Sequence, residues 1–175
     1  MWDRRRLLLL LACLLGLCAL RAPMTSSWAD DLLPSSDRVI LTVTGAITDA
    51  DGSGRVEFDL SAFERLGLSK LTTWTPWTDG EIEFEGVWAR RLMEAVGARG
   101  TEVEASALND YREVIPIDDF HRYDVLLAVR SNGRVMRARD KGPIWIVYPW
   151  SDHPELDDFL TREKSVWQLN VLHVR

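Results

Sequence analysis

The chain has 175 residues, of which 27% are charged, and a formal net charge of −6. An acidic surface repels nucleic-acid phosphates and anionic lipids, so this composition argues against nucleic-acid binding. The only two cysteines, Cys13 and Cys18, lie near the N-terminus. The rest of the chain therefore has no disulfide, no thiolate nucleophile and no thiolate metal ligand.

Residues 1–29 have the pattern of a secretory signal peptide. Three arginines at positions 4–6 precede an apolar run over residues 7–20, and Ser27-Trp28-Ala29 fits a small-x-small cleavage site. The run is shorter than the roughly 20 apolar residues of a membrane span. We therefore expect export to the periplasm, cleavage near Ala29 and no direct membrane insertion afterwards. An uncleaved anchor is the alternative.

Residues 30–175 are then the exported protein. They have 17 basic and 26 acidic residues, a formal net charge of −9, and no cysteine. A chain of this length is enough for one domain with its own core. Short β-like segments dominate it and helical patterns interrupt them, which predicts a mainly β single domain of the α+β class with a few short helices.

Strand-like segments recur along the whole exported chain. Alternation and β-branched residues predict strands over residues 39–44, 56–60, 71–77, 81–85, 103–108, 113–117, 125–129, 134–136, 144–148 and 166–174. Asn132-Gly133 between two of these segments predicts a type I′ hairpin turn. The apolar run over residues 144–148 predicts a strand that is buried on both faces.

Helical signals are fewer. Ser61 followed by Glu64 fits a capping box, which predicts a short helix starting at that serine. Residues 87–96 show the helical period, and Gly97 fits a left-handed C-terminal cap. A further short helix is predicted over residues 157–162.

Metal-ligand and catalytic patterns are not recognisable. His121, His153 and His173 share no ligand-like spacing, which favours surface or loop histidines over a metal site. Acidic pairs such as Asp118-Asp119 fit a solvated face, and no Gly-x-Ser-x-Gly elbow is present. We therefore assign no catalytic residue and no metal ligand, and the pattern does not favour an enzyme.

Tryptophan is more informative, since six of these residues follow Ala29. We expect Trp88 and Trp145 to lie in the core. The other four stand at predicted strand ends beside polar residues: Trp74, Trp77, Trp150 and Trp167. A ring in such a place can offer a flat face to a ligand, with core filling as the alternative.

Several segments follow one another in a characteristic order: Phe84-Glu85-Gly86-Val87, Ala107-Leu108-Asn109-Asp110-Tyr111, Asn132-Gly133, Lys141-Gly142-Pro143-Ile144-Trp145 and Lys164-Ser165-Val166-Trp167. In this order the chain resembles the oxidoreductase molybdopterin-binding domain, the fold of sulfite oxidase. The resemblance covers roughly residues 39–174.

The resemblance has one clear departure. In the molybdenum enzymes of that family a cysteine thiolate binds the metal, and its place corresponds to about Trp74 here. Threonine or tryptophan cannot replace a soft thiolate ligand. The chain is thus similar to a cysteine-less subgroup, the periplasmic pterin-binding proteins, which carry a reduced-pterin signal to the periplasmic domain of an inner-membrane regulator such as a cyclic di-GMP enzyme or sensor kinase.

The resemblance implies a site for a flat bicyclic ring with a guanidine-like edge. Trp74 or Trp77 would supply a stacking face, one ring occupying the metal's place and the other packing behind it. Asp79, Asp110 or Asp140 would accept the edge N–H groups. Polar neighbours would complete the wall: Asn109, Tyr111, Arg139 and Lys141. Lys164 and Ser165 match the region that holds the cofactor's phosphate in the enzymes.

Two other functions stay open at this point. One is a molybdenum-cofactor oxidoreductase with an atypical cysteine-free metal site, which would bind molybdopterin in place of a free reduced pterin. The other is an interaction module that kept the fold and binds no small molecule.

Overall fold

Two β-sheets of five strands each form most of the structure. A computed structural model of the chain describes residues 38–48 and 52–175. The signal-peptide prediction for residues 1–29, with both cysteines, falls outside these residues. None of the helices in the described ranges is both long and apolar enough to cross a membrane.

The strands form where β-branched and aromatic residues are frequent. In the described part of the chain they are β1 Val39–Gly45, β2 Arg55–Asp59, β3 Ser69–Thr73, β4 Ile82–Trp88, β5 Glu102–Ala107, β6 Arg112–Pro116, β7 Leu126–Ser131, β8 Arg134–Val135, β9 Trp145–Val147 and β10 Leu169–Val174. The first sheet has the order β2-β1-β10-β5-β6, and the second has the order β3-β4-β7-β8, with β9 also paired to β7.

Strands β1 and β10 run parallel, and the other strand pairs are antiparallel. Asn132 and Gly133 both have positive φ, at 48° and 71°, which confirms the predicted hairpin turn between β7 and β8. All three residues of β9 are buried, as its apolar run predicts. The predicted mainly β domain of the α+β class is confirmed.

The helices are short and lie between strands. They are α1 Leu60–Glu64, α2 Ala89–Ala95, α3 Ile117–Arg122 and α4 Phe159–Lys164, with 3₁₀ turns at Ala138–Asp140 and Pro154–Leu156. The longest of these has seven residues. Helices this short depend on packing against the sheets, because isolated helices below about 12 residues are marginal in water.

Helix α1 begins earlier than the capping box predicts. Asp59 is the N-cap, and its Oδ1 accepts the Ala62 N–H at 2.6 Å. The Ser61 hydroxyl donates to the same oxygen at 2.9 Å. The prediction of a cap at Ser61 is therefore wrong, because Asp59 at the end of β2 already satisfies the free amide of the first turn.

Two predicted segment boundaries near the tryptophans are also wrong. Strand β3 ends at Thr73, so the strand predicted over residues 71–77 is correct only in its first half. The chain turns next, with the Thr78 N–H donating to the Thr75 carbonyl at 3.1 Å. Helix α2 starts two residues later than predicted, because residues 87 and 88 still pair with β7.

Helix α3 is not predicted from the sequence. The predicted strand over residues 113–117 stops at Pro116, and Ile117 opens the helix instead. Asp118 and Asp119 lie in its first turn, where acidic side chains stabilise the free amides of a helix start. The acidic pair is therefore a helix-start signal as well as surface charge.

The segment from β9 to β10 joins the two sheets. The Leu169 N–H donates to the Ile144 carbonyl at 2.9 Å, and the Ile146 N–H donates to the Val166 carbonyl at 2.9 Å. Since Trp145 lies within one of these segments and Trp167 in the other, the two connections also fix the position of one indole relative to the other. The candidate site forms around this junction.

Candidate ligand-binding site

A threonine-rich turn positions Trp77. The Thr75 N–H donates to Thr78 Oγ1 at 2.9 Å, and the Trp77 N–H donates to Thr75 Oγ1 at 3.2 Å. These hydroxyls satisfy backbone amides that have no strand partner. The composition of this segment is therefore explained by a turn that presents one indole to the interior edge of the second sheet.

Trp77 is the centre of a cluster of indole rings. Its ring centroid lies 5.2 Å from that of Trp167, 6.0 Å from Trp145 and 6.2 Å from Trp150, with edge-to-face geometry in each case. Trp74 contacts Trp150, with centroids 6.4 Å apart. Trp150 thus lies between the two tryptophans of the turn, and Trp74 packs behind Trp77 only indirectly.

A cavity of about 320 Å³ opens beside this cluster, and we call it the tryptophan cavity. Its lining residues are Trp77, Asn109, Tyr111, Arg162, Glu163, Ser165, Val166 and Trp167. The volume is within the range of small-molecule sites. Four of the residues predicted from the sequence meet here: Trp77, Asn109, Tyr111 and Ser165.

Polar groups converge on one wall of the tryptophan cavity. The Tyr111 hydroxyl donates to Glu163 Oε2 at 3.1 Å, and Asn109 Oδ1 accepts the Tyr111 N–H at 3.2 Å. Burial, with the adjacent Glu163 carboxylate, raises the pKa of Tyr111 to about 12. The phenol is therefore a protonated donor at neutral pH. The wall offers a hydroxyl, an amide and a carboxylate to a ligand.

Ser165 has a structural task within this wall. Its hydroxyl donates to the Ile146 carbonyl at 2.6 Å and accepts the Trp145 indole N–H at 3.1 Å. Both bonds are buried. Ser165 therefore fixes the orientation of Trp145, and its hydroxyl is already satisfied by the protein.

A second cavity of about 450 Å³ holds three other predicted residues, Arg139, Asp140 and Lys141. We call it the cationic cavity, and its further lining residues are Thr78, Ile82, Ser131, Arg134, Val135, Met136, Arg137 and Trp145. The Lys141 ammonium lies 4.6 Å from the Trp167 ring centroid and 5.2 Å from that of Trp145. Lys141 thus contacts one ring that lines each cavity.

The remaining predicted site residues lie apart from both cavities. Asp79 is exposed in the turn before β4. Asp110 lines another cavity, with residues of β5 and β10. The Lys164 ammonium is 2.8 Å from Asp119 Oδ2, which also accepts the Tyr148 hydroxyl at 3.0 Å. Lys164 therefore belongs to an internal network that connects α4 with α3.

Glu163 is the cavity residue that sequence reasoning misses. The helix predicted over residues 157–162 ends before it, whereas α4 runs from Phe159 to Lys164. The Asp158 carboxylate caps α4 by accepting the Thr161 N–H at 3.0 Å. This aspartate followed three residues later by threonine is the signal that places the helix start, and with it the position of Glu163.

The fold and the site now allow a comparison with known proteins. A family model, the oxidoreductase molybdopterin binding domain, matches residues 42–151. The chain belongs to this family. The sulfane dehydrogenase SoxCD from Paracoccus pantotrophus has a similar structure, with a TM-score of 0.60 at 17% sequence identity. The match covers 80% of this chain and 39% of that chain, and it shows the fold alone. No curated protein matches the sequence.

The donor set of this molybdopterin-binding domain can be compared with the cofactor that the family name implies. Neither cysteine lies within residues 38–175. Across the described ranges, no group of three or more histidine, cysteine, aspartate or glutamate side chains is placed to hold a metal ion. These residues do not fit a thiolate-bound molybdenum ion. A flat aromatic ring, by contrast, fits the tryptophan cavity and its polar wall.

Proposed function

We propose that the protein binds a reduced pterin in the tryptophan cavity and performs no chemistry on it. One observation carries the proposal: the indoles of Trp77 and Trp167 and the Tyr111–Glu163 hydrogen-bonded pair line the same cavity. Stacking a base-sized ring on an indole contributes about 1–3 kcal/mol. The polar pair supplies the orientation that stacking alone lacks.

Glu163 takes the role that the sequence pattern gives to an aspartate. A pterin edge has a guanidine-like set of N–H donors, and a carboxylate accepts such donors in pairs. Asp79, Asp110 and Asp140 lie outside the tryptophan cavity, whereas the Glu163 carboxylate is in its wall. Asn109 and the Tyr111 hydroxyl complete the polar contacts to the ring carbonyl and nitrogens.

The proposed role is that of a periplasmic carrier of a pterin signal. The leader pattern supports export, and the absence of cysteine after Ala29 supports binding without metal chemistry. The partner is the periplasmic domain of an inner-membrane signalling protein, a cyclic di-GMP enzyme or a sensor kinase. This partner follows from the resemblance to the periplasmic pterin-binding proteins.

A molybdenum-cofactor oxidoreductase is the second candidate, because the family match favours it. The two candidates differ in what the purified protein contains. The full chain is produced with its leader in a periplasmic expression host, purified and denatured, and the released small molecules are separated with fluorescence detection. Molybdenum is measured in the same sample by mass spectrometry. Pterin without molybdenum supports the carrier, and near-stoichiometric molybdenum supports the enzyme.

The stacking surface is tested by two matched tryptophan variants. Trp77→Ala removes an indole that lines the tryptophan cavity, and Trp74→Ala removes one that lies beside it. We expect Trp77→Ala to weaken tetrahydropterin binding by at least about tenfold, with Trp74→Ala close to the unmodified protein. Binding is measured by calorimetry under anaerobic conditions. Equal affinity in all three proteins would overturn the stacking assignment.

A further inference from the structure

The cationic cavity concentrates positive charge on an acidic chain. Three arginines and a lysine line it, namely Arg134, Arg137, Arg139 and Lys141, and Asp140 is the only carboxylate among its lining residues. The whole chain has 21 basic against 27 acidic residues. Since basic residues are the minority, four of them around one cavity create a local field of opposite sign to the rest of the molecule.

Internal ion pairs leave most of this charge unbalanced. Asp140 Oδ2 is shared, at 3.3 Å from Arg137 Nε and 3.8 Å from Arg139 Nε. Arg134 forms no ion pair with the rest of the described chain, and the Lys141 ammonium lies against indole rings. One carboxylate thus faces four cations, which leaves a formal excess of three positive charges.

Backbone hydrogen bonds hold these cations in place. The Gly142 N–H donates to the Arg137 carbonyl at 2.8 Å, and the Gln168 N–H donates to the Lys141 carbonyl at 2.8 Å. The Gln168 side-chain amide donates to the Ala138 carbonyl at 2.8 Å. The segment that carries the charges is therefore anchored to the junction between the sheets.

The floor of the cationic cavity is apolar. Met136 and Trp145 are 4% and 2% exposed, and Ile82 and Val135 are half-buried beside them. A bare inorganic ion would leave this surface in contact with water. A molecule with an apolar or aromatic body and an anionic group would satisfy both the floor and the cationic rim.

We propose that the cationic cavity binds a small organic anion, with a phosphate ester or carboxylate group held by the arginines and an apolar body on the Trp145 floor. Guanidinium groups match the geometry of both oxyanions through paired N–H donors. The site is separate from the tryptophan cavity, and the proposal does not rest on pterin binding.

Phenyl phosphate is the probe that tests this site. We expect saturable binding of phenyl phosphate to the full protein in calorimetry at about 0.15 M salt, where bulk charge effects are screened beyond about 8 Å. Phenol lacks the charge and inorganic phosphate lacks the apolar body, so both should bind at least about fivefold more weakly. No saturable binding of phenyl phosphate would overturn the proposal.

Matched arginine variants locate the site. Arg134→Gln should weaken phenyl phosphate binding about fivefold or more, whereas Arg99→Gln, which removes an exposed arginine outside the cavity, should leave it unchanged. Equal losses in both variants would show a non-specific charge effect and overturn the proposal. Glu163→Gln should leave phenyl phosphate binding unchanged, so failure here and failure of the pterin proposal are distinguishable.

Discussion

The Tyr111–Glu163 pair shows how one missed residue changes the interpretation of a site. Asn109 and Tyr111 were predicted to lie near a carboxylate, and the tryptophan cavity places Glu163 beside both. Sequence distance hides this contact, since 52 residues separate the hydrogen-bonded side chains. The residue types of the wall could therefore be predicted, but its acceptor depended on where α4 ends.

Replacing Glu163 by glutamine should lower the pKa of Tyr111 from about 12 and weaken tetrahydropterin binding. Burial is the largest cause of the raised pKa and would remain, so the pKa should fall only part of the way to its usual value of 10.0. Phenolate absorbance against pH measures the change, with Tyr111→Phe identifying which tyrosine responds. An unchanged pKa would contradict the hydrogen-bonded pair.

Helix boundaries were less predictable than the strands they interrupt. Alternating residues located the strands, because a sheet with one buried face repeats every two residues. Helices α1 and α4 are capped by Asp59 and Asp158, whereas the pattern pointed to Ser61 and to a start at residue 157. A helix of five or six residues has too little period to reveal its ends, so the cap decides them.

The cap of α4 gives a stability difference that depends on pH. Burial would raise the pKa of Asp158, but hydrogen bonds from the Thr161 hydroxyl and N–H outweigh it and lower the pKa below 3.8. The carboxylate therefore stabilises the folded state above its usual pKa, and this stabilisation is lost as pH falls through the lowered value.

We expect Asp158→Asn to have a smaller acid-induced loss of unfolding free energy than the unmodified protein, since asparagine can still cap the helix but does not titrate. Urea unfolding at neutral pH and near pH 3 measures the difference. Asp79→Asn, at an exposed turn position, is the control and should follow the unmodified protein. Parallel pH curves for all three proteins would contradict the role of Asp158.

For the molecule as a whole, the order of segments predicted the fold but not the division of the site. Lys141 and Trp167 come from segments that meet at the junction of the two sheets, through the bonds at Ile144 and Val166. Such long-range placement has no local signature. The residues predicted as one polar wall therefore fall into two cavities.

A bound ligand should stabilise the whole fold by mass action. Tetrahydropterin at a hundredfold excess over its Kd should raise the unfolding free energy by about 2.7 kcal/mol, because it binds the folded state only. In Trp77→Ala, with a tenfold weaker Kd, the gain at the same concentration should fall to about 1.4 kcal/mol. Chemical denaturation with and without ligand measures both gains. Equal stabilisation of the two proteins would place the ligand elsewhere.

The contacts of Trp77 also make the protein an optical sensor of its own cavity. Three other indoles lie within 6.2 Å of its ring centroid, so their electronic transitions couple and excitation passes among them. Reduced pterins absorb where indoles emit. A pterin beside Trp77 would quench the emission of the whole cluster through energy transfer, and the circular dichroism couplet of the coupled rings would change with it. Occupancy could thus be followed in unlabelled protein.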